Sequence, residues 1–299
     1  MPWQLLRLQF SPATTDEVDE LEQLLLDAGA QSVTLADAQD QPLFQIEPGA
    51  TPLWDSVSLS GMFAADTDLA PVQARLQQRL AITADELEIT RLEDQDWEKT
   101  WMDRFQPMRF GERLWICPSW LSPPDPAAVT IMLDPGMAFG TGTHPTTALC
   151  LEWLEQHNLD GKVIVDFGCG SGVLAIAAAL LGAAQVLAVD NDPQAITATE
   201  ANRRANDLDA ALLQCFLPAQ FPPADSPLPA DVLVANILAG PLAQLAPRFA
   251  TLVKPGGALV LSGILPDQAE PLREVYRPWF NMEKAVTRDQ WTRLAGSRR

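Results

Sequence analysis

The sequence predicts an α/β protein: a mostly parallel, doubly wound sheet with helices on both faces, preceded by a smaller α+β unit. Three observations carry this. Between Lys162 and Asp192, an apolar run (Val163 to Val165) meets Asp166-Phe167-Gly168-Cys169-Gly170-Ser171-Gly172. The alanine-rich segment Val173 to Leu181 follows, then Val186 to Val189 and Asp190. That is a strand, a glycine turn, a helix, a second strand and an acid at its carboxyl end. From Val129 onward, strand-like and helix-like segments alternate. The first 92 residues show a different order, strand-helix-strand-strand-helix-strand.

Composition bounds the function. At 299 residues the chain is long enough for two domains. Its longest apolar stretch, Val173 to Val189, is broken by Gly182 and Gln185 and reads as a helix followed by a strand, so no membrane association is expected. Met1 to Phe10 lacks a basic start with a clean apolar stretch and a small-residue cleavage site, so secretion is not expected. Cys117, Cys150, Cys169 and Cys215 fit neither a zinc pattern nor a disulfide framework. No metal is expected, and the compartment is a reduced cytoplasm. With 39 acidic against 20 basic residues the net charge is −19, which repels nucleic acid and attracts a basic partner, although it also serves solubility.

In the first 92 residues, Trp3 to Phe10 reads as a strand. Thr15 to Ala28 reads as a helix, with Val18, Leu21, Leu25 and Ala28 at helical spacing and Gly29 behind it. Ser32 to Leu35 and Val57 to Phe63 alternate as half-buried strands, Leu69 to Leu80 returns to helical spacing, and Leu87 to Leu92 closes the unit. The order is the ferredoxin-like, split β-α-β arrangement. Residues 93–128 read as a linker. Trp97, Trp101 and Phe105 recur every four residues along an amphipathic helix, Arg113 to Cys117 is strand-like, and Ser122-Pro123-Pro124-Asp125-Pro126 is a stiff connection.

Residues 129–299 form the second domain. Strands are predicted at Val129 to Leu133, Val163 to Val165, Val186 to Val189, Ala211 to Cys215, Val232 to Ala235 and Ala258 to Ser262. Helices are predicted at Thr146 to Gln156, Val173 to Leu181, Pro193 to Asn206, Pro241 to Phe249 and Pro266 to Tyr276, and the tail (Met282 to Val286, Trp291 to Ala295) as a closing hairpin. In such a sheet the ligand sits outside the carboxyl ends of the strands, and an acid ending the second strand holds a ribose diol. Asp190 therefore points to a nucleoside-containing cofactor.

Glycine spacing decides which one. A dinucleotide fingerprint reads G-x-G-x-x-G, whereas here the spacing is Asp166-x-Gly168-x-Gly170-x-Gly172 with an acid directly ahead. That pattern resembles the first motif of class I S-adenosylmethionine-dependent methyltransferases. Two further stretches join it. Asp134-Pro135-Gly136-Met137-Ala138-Phe139-Gly140-Thr141-Gly142-Thr143-His144-Pro145-Thr146-Thr147 is a glycine-rich loop that ends at a helix start and lacks a P-loop ending. There Thr146 and Thr147 serve either as caps or as cofactor contacts, and His144 as a structural donor or a catalytic group. In Asp231-Val232-Leu233-Val234-Ala235-Asn236-Ile237-Leu238-Ala239-Gly240-Pro241, an apolar strand delivers Asn236 to its carboxyl end. Asn236 is either a turn former or the acceptor that aligns a nucleophilic nitrogen.

Together these three stretches resemble the bacterial family of ribosomal protein L11 methyltransferases. The resemblance implies a class I methyltransferase domain using S-adenosyl-L-methionine, and a small amino-terminal domain that recognises substrate. It places Thr147, Gly168, Gly170, Asp190 and Asn236 at the cofactor, with Asn236 also catalytic. It implies repeated methylation of lysine side chains and the amino terminus of one ribosomal protein. Methyltransferases that act on planar nitrogens follow this Asn or Asp with Pro-Pro and an aromatic ring. Here Ile237 and Leu238 follow, which suits an aliphatic amine. The basic ribosomal protein is expected as a free substrate before assembly, and repeated transfer implies domain motion about residues 93–128. The rival readings are an NAD-dependent oxidoreductase and a non-catalytic S-adenosylmethionine-binding ribosome-assembly factor.

Overall fold

The computed structural model describes residues 2–12, 14–39, 41, 52–92, 105–134 and 144–299. The chain divides into two compact units, Met1–Trp101 and Met102–Arg299.

In the small unit, β1 (Trp3–Phe10), α1 (Thr15–Asp27), β2 (Ser32–Asp37), β3 (Val57–Ala64), α2 (Ala70–Leu80) and β4 (Leu87–Leu92) follow the predicted element order. The four strands form one sheet in the order β2-β3-β1-β4, each neighbouring pair antiparallel. Alternation along β1 puts Leu6 and Leu8 into the core, where Leu21 and Leu25 of α1 and Leu76 of α2 meet them. Thr14 starts α1 by accepting the Glu17 backbone N–H at 3.3 Å, satisfying one of the donors a helix start leaves open.

The large unit begins with a small sheet. β5 (Met108–Phe110), β6 (Leu114–Cys117) and β7 (Val129–Met132) pair in that order, β6 with β7 in parallel. This corrects two sequence expectations. Within the expected linker of residues 93–128, Met108–Phe110 and Leu114–Cys117 are strands of the large unit, with Phe110, Leu114 and Ile116 buried in its core. The strand at Val129 pairs outside the main sheet. Periodicity identifies a strand but not its partner, and the Asn206 side chain takes both polar groups of Met132, at 2.7 Å from its N–H and 2.8 Å from its carbonyl oxygen. The predicted aromatic helix lies outside the described residues except for Phe105.

The main sheet contains β8 (Val163–Phe167), β9 (Gln185–Val189), β10 (Leu213–Phe216), β11 (Ala230–Asn236), β12 (Val253–Ile264), β13 (Phe280–Met282), β14 (Val286–Arg288) and β15 (Trp291–Arg298). Its order is β10-β9-β8-β11-β12-β15-β13, with β14 paired to β15. The first five strands are parallel and β15 is antiparallel to β12. The tail is thus an interior strand as well as a hairpin, and Leu294 is fully buried. Strand alternation builds two cores. Ile164, Val186 and Val234 pack with α3 (Pro145–Gln156) and α4 (Val173–Leu180). Val165, Leu187 and Leu233 pack with α6 (Ala239–Leu252) and α7 (Pro266–Tyr276) on the other face. α5 (Pro193–Ala205) joins the first core through Ile196. Strand order reverses between β8 and β11, and ligands bind at such a switch point. No helix among the described residues is long and apolar enough to cross a membrane.

Candidate active site

The glycine turn leaves β8 through three left-handed residues, Gly168 (φ 84°), Gly170 (φ 54°) and Gly172 (φ 80°), a region costing side-chain-bearing residues about 1–2 kcal/mol each. A Cβ on Gly168 would lie 2.3 Å from Ile237 Cγ2, and one on Gly172 would lie 2.6 Å from Thr199 Cγ2. Helix α5 braces the turn from behind. Thr199 Oγ1 donates to the Gly170 carbonyl at 3.0 Å, and Asn202 Nδ2 donates to the Ser171 carbonyl at 2.8 Å.

Asp190, half-buried at the end of β9, reaches back to this turn. Its Oδ2 accepts the Gly170 N–H at 2.9 Å and its Oδ1 accepts the Asp192 N–H at 3.0 Å. A carboxylate offers about four acceptor positions, so both oxygens retain capacity for a diol. Beneath the turn, Asp166 is fully buried. Its Oδ2 accepts the Ala175 N–H at 3.0 Å, while Oδ1 has no partner among the described residues. Burial raises its pKa from 3.8 to about 7, the Ala175 hydrogen bond opposes this, and the charge on Asp190 adds to it. Burial likewise pushes the Cys169 thiol up, which keeps it protonated and a poor nucleophile.

Asn236 stands half-buried at the end of β11, and its Nδ2 donates to Thr147 Oγ1 at 3.3 Å. The next residue is clamped. Ile237 N–H donates to the Ser262 carbonyl at 3.1 Å, and a Cβ on Gly263 would lie 2.5 Å from the Ile237 carbonyl oxygen. With Ile237 turned inward against Gly168, Leu238 is 51% exposed at the lip. His144 caps α3, with Nδ1 2.7 Å from Thr146 Oγ1 and its ring edge-on to Trp291. Burial lowers its pKa.

The five predicted residues therefore form one connected group. Asp190 holds Gly170, Thr147 holds Asn236, and Ile237 brings the Asn236 loop against Gly168. His144 and Thr146 are occupied with each other in the cap. Residues 135–143 of the glycine-rich loop lie outside the described residues. The bracing role of Thr199 and Asn202 carries no local sequence signature, and neither was singled out, nor was Gly263, which seats Ile237. Gly263 alone had a signal, as a glycine directly after an apolar strand.

A family model described as Ribosomal protein L11 methyltransferase matches residues 2–299. The chain belongs to this family. Proteins named ribosomal protein L11 methyltransferase from Ectopseudomonas mendocina and Azotobacter vinelandii are each 52% identical to it over 299 residues, covering 100% of both chains. A crystal structure of ribosomal protein L11 methylase from Lactobacillus delbrueckii subsp. bulgaricus matches with a TM-score of 0.58 at 32% identity, covering 65% of this chain and 99% of that one. The large unit of this L11 methyltransferase family member has the class I methyltransferase fold. The group at the switch point suits that cofactor class. It offers, at the end of β9, a carboxylate with spare acceptor positions for a ribose.

Proposed function

We propose that this protein transfers methyl groups from S-adenosylmethionine to the lysine side chains and amino terminus of ribosomal protein L11, acting in the cytoplasm on the free protein before assembly. Family membership supports the reaction and the substrate. The observation that carries the residue assignment is the hydrogen bond from Asn236 to Thr147 at the carboxyl end of β11, beside the Gly168 to Asp190 group. Asp190 would hold the ribose, and Thr147, Gly168 and Gly170 would line the cofactor's path. Residues 1–92 would recognise the protein substrate; they carry fifteen acidic and four basic residues, complementary to a basic ribosomal protein.

The cofactor supplies an activated methyl on a sulfonium that departs as a neutral thioether when the amine nitrogen takes the methyl. The difficulty is on the amine side. A lysine with pKa about 10.4 is neutral in roughly one molecule of a few thousand at pH 7. Desolvation in the cleft favours the neutral amine. Asn236 Oδ1 accepts one of its N–H groups and aims the lone pair at the methyl. Among the described residues, Asp166, Cys169 and His144 are not disposed to act as a base, and Asp190 is turned to the Gly170 and Asp192 N–H groups. Asp166 lies below the turn with a raised pKa, Cys169 stays a thiol, and His144 is committed to its cap. The amine proton is therefore lost to solvent, and rate comes from alignment and desolvation.

The test is Asn236→Ala, assayed with labelled S-adenosylmethionine and purified L11. Turnover should fall about a hundredfold or more, far more than cofactor affinity does. Unchanged turnover would sink the assignment of Asn236, and no labelled L11 from the wild-type enzyme would sink the function.

A further inference from the structure

The two ends of the Asn236 amide are chemically opposite, and only one suits an amine nucleophile. Its Nδ2 is committed to Thr147 Oγ1 at 3.3 Å, across 89 residues of chain. Thr147 is 2% exposed, on the first turn of α3, and its own N–H donates to the His144 carbonyl at 3.0 Å. Its neighbour Thr146 spends its hydroxyl on the His144 ring. The two threonines thus divide the work. One completes the helix cap and the other reaches β11. Asn236 Oδ1 has no partner among the described residues.

We propose that Thr147 is a positioning residue for methyl transfer, its hydroxyl holding the Asn236 amide with Oδ1 toward the substrate amine. This rests on the catalytic reading of Asn236 given above. A neutral primary amine has two N–H groups and one lone pair. An acceptor facing it binds an N–H and leaves the lone pair free to attack the methyl. A reversed amide presents two donors, and these bind the lone pair that has to react. An amide with no fixed partner divides its time between both ends, so the competent fraction falls and turnover falls with it. The rigid first turn of α3 supplies the fixed partner. This role goes beyond a direct cofactor contact by Thr147, because the effect passes through Asn236.

Thr147→Val keeps the side-chain shape and removes the hydroxyl; Thr147→Ser keeps the hydroxyl. With both substrates saturating, kcat of Thr147→Val should fall about tenfold or more, and Thr147→Ser should recover most of it. A mere cofactor contact would instead raise the Kd for S-adenosylmethionine and leave kcat intact at saturation. In a double-mutant cycle, Thr147→Val should add less than about twofold to Asn236→Ala, because both remove one function. The Asn236 side-chain amide signals in nuclear magnetic resonance should also shift in Thr147→Val without any assay of turnover. Full kcat in Thr147→Val, or independent losses that multiply in the double variant, would overturn the proposal. Wild-type turnover in Asn236→Ala would instead remove the catalytic reading beneath it, a separate result.

Discussion

Asp190, the acid that ends the second strand, holds the backbone N–H of Gly170 at 2.9 Å and so fastens the glycine turn that ends the first. One carboxylate therefore shapes the turn and remains available to a ribose diol. Hydrogen bonds to charged groups contribute about 1.5–3 kcal/mol, equivalent to roughly 10- to 100-fold in affinity. Asp190→Ala should weaken S-adenosylmethionine binding by at least the lower figure, and Asp190→Asn, which keeps an acceptor oxygen, should weaken it less. Isothermal titration calorimetry on the purified variants checks the order. Equal binding by wild type and Asp190→Ala would refute it.

Gly168 is required for two separable reasons. Its φ of 84° strains any other residue by about 1–2 kcal/mol. A Cβ there would also stand 2.3 Å from Ile237 Cγ2, an overpacking that costs about 1–3 kcal/mol. Gly168→Ala should lose about 2–5 kcal/mol of stability in urea unfolding, the sum of the two effects. Adding Ile237→Ala should restore part of the steric loss and none of the backbone strain. A double variant no better than the sum of its singles would show that Ile237 is not what crowds the position.

The buried Asp166 should leave a signature in the pH dependence of stability. Its folded pKa is raised from 3.8 to about 7 by burial, so the folded protein binds this proton more tightly than the unfolded chain. The sign follows from linkage. The favourable contribution is complete below the unfolded value and is lost as pH rises through the folded one. In Asp166→Asn, which cannot titrate, the melting temperature should gain relative to wild type between about pH 4 and about pH 7 and level off above that. A difference that stays constant over that range would show that Asp166 is already ionised in the folded protein.

Much of this was legible in the residues, and the parts that were not share a cause. The turn from Asp166 to Gly172, Asp190 and the helices around them are local patterns, and helical and strand periods report them directly. β7 was recognised as a strand and assigned to the wrong sheet, because its partners lie in β6 and the Asn206 side chain, neither of which periodicity reports. Residues 93–128 read as a linker because an aromatic amphipathic segment and a proline-rich stretch separate two differently patterned halves, although Leu114 and Ile116 within them are buried in the large unit's core. At the site, single residues were visible but their pairings were not. Thr147 and Asn236 are 89 residues apart, and nothing in either segment announces that one holds the other.

The charge distribution makes the last expectation. Residues 1–92 carry fifteen acidic and four basic side chains within a chain of net charge −19. Such a surface draws a free basic protein toward it, and fields of exposed charges are screened beyond about 10 Å at 0.1 M salt. Raising ionic strength should therefore raise KM for free L11 while leaving kcat nearly constant, because salt weakens encounter and not alignment. Ribosomal RNA in an assembled subunit would present phosphates that repel the same acidic residues. Initial rates on free L11 should exceed those on intact subunits at equal L11 concentration, and the gap should narrow as salt is added. Equal rates at low salt would mean that assembly does not close the substrate to the enzyme, and that the acidic surface serves solubility alone.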